Sequence, residues 1–343
     1  MTPRRLLPLA FVPALLAPAA AGAQLPGVPP APTTPTTPAP ASPPAKPAVV
    51  QKKAKIVVVA ERVGKRATVL TGSSIRLRGT VTPYVPGQKV TVRIDQAGKS
   101  VMSVSRTIQK MGNGQAGRFL IAYKPKSAGT LHVNASHLTT PAQASARAKQ
   151  VAVDVLPRAV PQGSQGRKVR ILQSRLKALK YVVDVNGRMD GHTIRAVVAF
   201  RKLTGMSRIA SADKPFFQKM AAGGGGFKVK FPNHGRHIEG DITHQVLALI
   251  GKGGKVERIY PTSSGAPSTP TILGTFRVYR KDFGTNAKGM VHSSYFIRGY
   301  AIHGYSSVPT YNASHGCLRV PVPDAKSIFD WVDHGTIVDT YYR

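Results

Sequence analysis

The stretch that decides the fold of the C-terminal region reads Ile-His-Gly at 302–304 and Ser-His-Gly-Cys-Leu-Arg at 314–319. It contains Cys317, the single cysteine of a 343-residue chain, together with His303 and His315. A free thiol is mostly protonated at neutral pH, so a nucleophilic cysteine needs a base beside it. Glycines next to the first histidine and to the cysteine let a substrate approach the backbone closely. This combination is suited to acyl transfer through a thioester.

Neighbouring groups fit the same chemistry. The consecutive backbone amides of Gly316 and Cys317 are candidates to hold a developing oxyanion. Arg319 is a cation near enough in sequence to favour a thiolate or to hold a carboxylate. A buried cysteine can instead serve as a small hydrophobic residue, but a Ser-His-Gly-Cys turn is an uncommon place for one.

A zinc site is the main chemical alternative. His303, His315 and Cys317 are all zinc ligands in other proteins, and His292 is a possible fourth. Against this interpretation, no carboxylate or second cysteine lies nearby in the sequence to complete or support the set. We therefore expect no metal and no cofactor.

The motif closely resembles the signature of the L,D-transpeptidase catalytic domain of the YkuD type. Upstream, Ser264-Gly265, Thr269-Pro270 and Gly274-Thr275-Phe276 resemble that family's Ser/Thr-Gly, Thr-Pro and Gly-x-Phe run. Residues 245–249 resemble its early strand. The resemblance covers about 230–343, and its Ser-His-Gly-Cys core is highly specific.

The resemblance implies a reaction on the stem peptides of peptidoglycan. Cys317 would attack the carbonyl at the L-centre of the third stem residue, a diamino acid, and expel D-alanine. His303 would act as general base, oriented by a backbone carbonyl at or beside Gly304. An amine of a second stem would then resolve the thioester as a 3→3 cross-link.

The resemblance also implies supporting roles for the other residues of the motif. His315 would line the site and share proton handling. The amides of Gly316 and Cys317 would hold the oxyanion, and Ser314 and Arg319 would fix the turn or the substrate.

The first residues of the chain have the pattern of a cleavable export signal. Arg4 and Arg5 form a basic start, residues 6–18 are apolar, and Ala21-Gly22-Ala23 supplies a small-residue cleavage site. The apolar run is shorter than the roughly 20 residues that a membrane span needs, although an uncleaved anchor is the alternative. We expect residues 1–23 to be a signal peptide and the mature protein to be secreted to the cell wall or periplasmic space.

The net charge of +35 predicts binding to polyanions. Aromatic residues make up only 7% of the chain and are not interleaved with the basic ones, which argues against nucleic acid. In an exported protein, the anionic polymers of the wall are the expected partners.

Composition and periodicity divide the rest of the chain into regions. Residues 24–54 are rich in Pro, Ala and Thr, which predicts an extended linker. Residues 55–157 contain short alternating strands separated by turn signals, the pattern of an immunoglobulin-like β-sandwich. Residues 166–222 have helical spacing, and four glycines at 223–226 mark a boundary before the β-rich residues 227–343. We predict a multidomain, mainly β protein.

The helical region resembles the small three-helix peptidoglycan-binding domain. The positions that carry this resemblance are Gly166, Val169, Leu172-Gln173, Leu176, Leu179, Tyr181, the 184–190 turn, Thr193, Ala196-Val197 and Phe200. It implies binding to the wall, and a helical spacer is the alternative.

Three further functions stay open beside an L,D-transpeptidase. Water as acceptor would make the enzyme an L,D-carboxypeptidase that trims stem tetrapeptides. The chain could also be a non-catalytic wall-binding protein, although an intact motif argues against this. The zinc interpretation would make it a metallopeptidase.

Other aromatic and histidine residues of the C-terminal region suggest only smaller roles. We expect His234, His237 and His244 at the surface or at strand edges. Candidates for substrate contact, each with packing as the more ordinary alternative, are Tyr295, Tyr305 and Tyr311.

Overall fold

The computed structural model describes residues 52–61 and 67–343. The predicted signal peptide, and the linker up to residue 51, lie outside the described residues and stay predictions. Among the residues that are described, no helix combines the length and apolar character needed to cross a membrane.

The first region consists of strands, and in most of the longer ones the side chains alternate between buried and exposed, as the sequence pattern predicts. The strands are β1 (Lys55–Ala60), β2 (Thr68–Leu70), β3 (Ile75–Thr82), β4 (Lys89–Gln96), β5 (Lys99–Thr107), β6 (Gln109–Met111), β7 (Ala116–Tyr123), β8 (Gly129–His137), β9 (Ala146–Arg147) and β10 (Val151–Leu156). They form two sheets, ordered β1-β3-β7-β6 and β2-β10-β8-β4-β5, with β9 beside β8. The inward side chains of both sheets, Leu77 and Val92 among them, share one core, so the region is a β-sandwich.

The second region contains three helices. They are α1 (Arg167–Ala178), α2 (Gly191–Leu203) and α3 (Lys214–Ala221). Asp190 and Asp213 cap α2 and α3 by accepting hydrogen bonds from backbone amides of the first turn. The apolar stripe predicted for the first helix is confirmed, because Val169, Leu172 and Leu176 are fully buried.

The third region is again mainly β. It contains β11 (His237–Asp241), β12 (Val246–Gly251), a short 3₁₀ turn (Lys252–Gly254), β13 (Lys255–Pro261), β14 (Gly274–Arg277), β15 (Arg280–Thr285), β16 (Val291–Ile297), β17 (Tyr300–Tyr305), β18 (Leu318–Pro321), α4 (Val322–Trp331) and β19 (Ile337–Tyr341). Two sheets result, ordered β13-β12-β11-β19-β14 and β15-β16-β17-β18. Apolar side chains of both sheets and of α4 form the core between them. The prediction of a mainly β fold is confirmed.

The glycine run 223–226 is packed against its neighbours. Gly225 is buried, and its carbonyl accepts a hydrogen bond of 2.7 Å from the hydroxyl of Tyr181. A Cβ at Gly225 would lie 2.0 Å from the ring of Phe200, so only glycine fits there. The run therefore makes a close turn against α2 and does not behave as a free tether.

One hydrophobic core connects all three regions. It joins Leu156 of β10 and Phe200 of α2 to Ile250 and Ile259 of β12 and β13. The described residues from 52 onward accordingly belong to one compact unit.

Candidate active site

Two neighbouring strands bring the motif together. β17 and β18 run parallel, with Ile302 opposite Leu318 and His303 opposite Arg319. Because Cys317 immediately precedes β18, this register sets the thiol beside the strand that carries His303. The sequence places these residues on separate segments, and the parallel pairing unites them.

A cavity of about 330 Å³ opens at this edge of the sheet. Its lining residues are Lys288, Met290, Gly299, Tyr300, His303, Tyr305, Ser314, His315, Cys317 and Arg319. Of the seven residues that the sequence singles out for the site, Gly304 and Gly316 do not line the cavity. Both shape its walls through the backbone.

The thiol of Cys317 lies in a partly buried environment. Its Sγ accepts a hydrogen bond of 3.4 Å from the amide of Ala301, and the carbonyl of Gly299 lies 3.9 Å away. Burial raises the pKa of the Cys317 thiol, while the Ala301 amide and the cations of Arg319 and Lys288 oppose this shift. The thiol is therefore protonated at neutral pH and needs a base to react.

His303 is suited to be that base. Its side chain is almost fully buried, and its Nδ1 lies 2.9 Å from the carbonyl oxygen of Gly304, which fixes Nδ1–H as the donor and leaves Nε2 as an acceptor. Burial lowers the pKa of His303, the bond to Gly304 works against this, and Arg319 adds to the lowering. The imidazole is neutral at pH 7, and the expected orientation by the Gly304 carbonyl is present.

His303 and Cys317 share no hydrogen bond among the described side chains. The thiol instead contacts the backbone of the β16–β17 hairpin. Catalytic hydrogen bonds often tighten only when substrate is bound, so this separation is compatible with His303 as the base for the thiol.

Ser314 holds the turn that presents the thiol. Its Oγ donates to the carbonyl of Cys317 at 2.6 Å and accepts from the amide of Gly316 at 3.1 Å. The Gly316 amide, which the sequence suggests as an oxyanion donor, is therefore occupied by Ser314. Of the expected pair, the amide of Cys317 is the remaining candidate for that role.

The glycines of the motif are required by close contacts. Gly316 has φ +108°, and a Cβ there would lie 2.2 Å from the ring of Tyr300. A Cβ on Gly304 would lie 2.7 Å from the Cβ of Ala325 in α4. Larger residues at either position would displace an element that forms the site.

Arg319 and His315 both line the cavity but differ in their contacts. The guanidinium of Arg319 stacks 4.3 Å from the ring centre of Tyr305 and donates to the carbonyl of Ala313 at 3.3 Å. His315 is exposed and lines the cavity. Arg319 thus holds the backbone at Ala313 by a hydrogen bond, and its charge acts on the thiol of Cys317.

Sequence reasoning missed Lys288, Met290, Gly299 and Tyr300. Lys288 lies on a turn that Asn286 closes by accepting from the amides of Lys288 and Met290, each at 3.0 Å. An Asn and a Gly in 286–289 are a turn signal, but nothing in the sequence connects that turn with the thiol. Only the pairing of β16 with β17 brings it to the cavity.

The arrangement does not support the zinc set. His292, its possible fourth member, accepts from the amide of Gly284 and packs 5.5 Å from the ring centre of Phe329. Within residues 52–61 and 67–343, no three His, Cys, Asp or Glu side chains are grouped so that they could hold a metal ion.

Residues 235–339 match the family model of the YkuD L,D-transpeptidase catalytic domain. An L,D-transpeptidase structure from Xylanimonas cellulosilytica is 31% identical over 54% of this chain and 98% of its own, with a TM-score of 0.49. An L,D-transpeptidase from Stackebrandtia nassauensis is 21% identical over 54% of this chain and 95% of its own, with a TM-score of 0.35. The comparison with curated proteins gave no match.

Proposed function

This chain belongs, through residues 235–339, to the family of L,D-transpeptidase catalytic domains, and from that premise we propose that it forms 3→3 cross-links in peptidoglycan through a thioester on Cys317. The observation that carries the proposal is a single cavity lined by Cys317, His303, His315, Ser314 and Arg319. It combines a thiol, a neutral imidazole and a cation in a space that can admit a peptide.

The first half-reaction forms the acyl-enzyme. Nε2 of His303 takes the thiol proton as Sγ of Cys317 attacks the carbonyl carbon of the third stem residue. The tetrahedral intermediate collapses, the bond to the nitrogen of D-alanine breaks, and the imidazolium returns the proton to that leaving amine. The bond from Nδ1 to the Gly304 carbonyl keeps the ring oriented during both transfers.

The second half-reaction transfers the acyl group to an amine. The side-chain amine of a second stem attacks the thioester, and His303 takes the proton that the amine loses. The thiolate of Cys317 leaves and takes that proton from the His303 imidazolium. The amide of Cys317 stabilises the oxyanion in both steps, and Arg319 attracts a carboxylate of the stem.

The location follows from the substrate. Stem peptides lie outside the cytoplasmic membrane, so the proposed reaction requires export, in agreement with the signal predicted at residues 1–23. The net charge of +35 favours adhesion to anionic wall polymers near the substrate.

Mass spectrometry of reaction products tests the proposal. The chain and its Cys317→Ala variant are incubated with disaccharide-tetrapeptide. We expect a 3→3 dimer with the intact thiol and unchanged substrate with the variant. If tripeptide forms without dimer, the activity is that of an L,D-carboxypeptidase and not of a cross-linking enzyme. Unchanged substrate with both proteins would reject the enzyme and favour a wall-binding role.

A further inference from the structure

Three cations of the helical segment, residues 167–221, reach into the region around the active site. Arg195, Lys202 and Arg208 each contact a different part of residues 227–343. The chemistry described above assigns none of them a role.

Lys202 makes the most unusual of these contacts. Its side chain is 2% exposed, and its Nζ donates to the carbonyls of Thr262, at 2.7 Å, and Gln245, at 3.3 Å. No carboxylate pairs with it among the residues that the structure describes. A buried ammonium without a counter-ion costs stability, so packing alone explains this residue poorly.

A series of hydrogen-bonded residues leads from Lys202 to the backbone of Cys317, beginning at Gln245. The side chain of Gln245 donates to Oγ of Ser264 at 2.6 Å and accepts from the Ser264 amide at 2.8 Å. The carbonyl of Ser264 accepts from the amide of Ser314 at 2.9 Å. Ser314 then donates to the carbonyl of Cys317 at 2.6 Å. A displacement of Lys202 would therefore displace the 314–317 turn, which carries the thiol.

Arg208 contacts the loop on the other side of that turn. It donates to the carbonyl of Thr310, within residues 305–313, which connect the His303 strand to Ser314. The same loop is held from the catalytic side by Ser263, whose hydroxyl donates to the carbonyl of Tyr311 at 2.6 Å. The helical segment thus supplies one of the contacts that fix the loop.

Arg195 anchors the helical segment under the base. It forms two hydrogen bonds, of 2.9 and 3.0 Å, to the buried carboxylate of Asp324 in α4. The next residue, Ala325, lies against Gly304, whose carbonyl orients His303. The three contacts therefore reach three segments that adjoin the site: the strand end at Thr262, the loop at Thr310 and α4 at Asp324.

We propose that two residues of the helical segment, Lys202 and Arg208, are positioning residues that hold the Cys317 turn and the 305–313 loop in register with His303. The inference rests on the proposed function where turnover is concerned, whereas the reactivity of the thiol tests it independently.

The test compares Lys202→Met and Arg208→Met with a matched control, Arg175→Met. Methionine keeps the length of the side chain and removes the charge, so Lys202→Met is expected to fold. Arg175 lies in the same helical segment but pairs with Asp154 of the sandwich at 2.6 Å, away from the active site. Arg208 is only partly buried, which makes its variant a second and milder perturbation.

The readouts are the alkylation rate of Cys317 by iodoacetamide between pH 5 and 9, the thermal midpoint, and kcat and KM with disaccharide-tetrapeptide. If the two residues position the thiol and its base, both variants lower kcat and the alkylation rate at pH 7 by about tenfold. Their pH profiles shift towards that of an unassisted thiol, and KM changes less than kcat. Arg175→Met leaves all of these rates unchanged.

The proposal is wrong if both variants keep the alkylation rate, its pH profile and kcat of the unsubstituted protein and only the thermal midpoint moves. If the unsubstituted protein is alkylated at Cys317 but does not convert tetrapeptide, the proposed function fails. The alkylation profiles of the variants still decide the positioning role in that case.

Discussion

At the scale of the residue, Cys317 and His303 are both neutral at rest. Burial raises the pKa of the thiol above its ordinary 9.0 and lowers the pKa of the imidazole below its ordinary 6.5. A neutral pair avoids the cost of burying two charges before substrate arrives. In the proposed mechanism, the proton moves to His303 only as the thiol attacks.

This pairing predicts a specific pH dependence. His303 accepts a proton only above its own pKa, so turnover should fall as the pH drops below 6.5 and be flat from there towards 9. In His303→Asn the acid limb should vanish, with the remaining reactivity rising only as the thiol ionises. The measurement is the pH profile of kcat/KM for both proteins. Undiminished alkylation at pH 5 would indicate a resting ion pair and contradict this assignment.

Gly316 offers a second test at the residue scale. Gly316→Ala places a Cβ 2.2 Å from the Tyr300 ring at a φ of +108°. We expect the strained backbone to lower the free energy of unfolding by about 1–3 kcal/mol. Displacement of the turn should also lower turnover by roughly tenfold or more. Gly226→Ala is the matched control, because a Cβ there meets nothing within 4 Å. Urea unfolding and turnover measure both effects, and equal results for the two variants would refute the role of Gly316.

At the scale of the element, β11 and β19 carry a buried ionic network. Glu239 and Asp339 face each other in the parallel register, and both are fully buried. The carboxylate of Glu239 accepts from the Tyr341 hydroxyl at 2.6 Å and lies 3.3 Å from Nε2 of His237. His237 is fully buried, so the expectation of a surface or strand-edge position is wrong for this residue. Its partner is two residues away along the same strand.

Glu239 should make the stability of this sheet depend on pH. Burial alone would raise its pKa, but hydrogen bonds from His237, Tyr341 and two backbone amides outweigh this and lower it. The ionised carboxylate of Glu239 therefore stabilises the fold above pH 4.5, the ordinary pKa of a glutamate. This stabilisation is lost as the pH falls through the lower pKa that the group has in the folded state.

The variant Glu239→Gln tests this contribution. We expect it to lower the free energy of unfolding by about 2 kcal/mol at pH 7, and the difference from the unsubstituted protein should shrink below pH 4.5. Glu61→Gln, at an exposed position, is the control. Urea unfolding at pH 7 and 4 measures both variants, and a difference that stays constant with pH would contradict the assignment.

At the scale of the whole molecule, the helical and catalytic regions are connected by a buried charge. Burial, with the nearby Arg208 charge adding to its effect, lowers the pKa of Lys202 from 10.5 to about 7. The unfolded chain therefore binds more protons than the folded one between these values. Because of this difference, the free energy of unfolding should rise with pH across the window from 7 to 10.5.

Removing the amine should remove that rise. Between pH 7 and 9, the free energy of unfolding of Lys202→Met should rise less than that of the unsubstituted protein. Methionine does not titrate, so the variant has no pKa difference between the folded and unfolded states at this position. Urea unfolding at the two pH values measures the gain in each protein. A parallel response of both proteins would mean that the Lys202 ammonium is better solvated than its contacts indicate.

The parts that sequence could predict are those that depend on local pattern. The alternation of Val90, Val92 and Ile94 predicts β4, and the helical spacing that includes Leu172 predicts α1. The motif at 314–319 indicates the thiol. Local pattern tells which face of an element is buried but not what covers it. Lys288 and Lys202 were missed for that reason, because their surroundings come from segments distant in sequence.

The glycine run at 223–226 illustrates the same limit. Four glycines are compatible with a flexible connection and with a close backbone turn, and only the ring of Phe200 against Gly225 distinguishes the two. The strands and helices were therefore predictable individually, whereas the common core that unites the regions was not.

The most direct test of the central claim is intact-protein mass spectrometry of the chain mixed rapidly with disaccharide-tetrapeptide in the absence of an acceptor. We expect a covalent adduct on Cys317 that raises the mass of the protein by the mass of the substrate minus that of D-alanine, and no such adduct on Cys317→Ala. An adduct on another residue, or substrate conversion that persists in Cys317→Ala, would contradict the account.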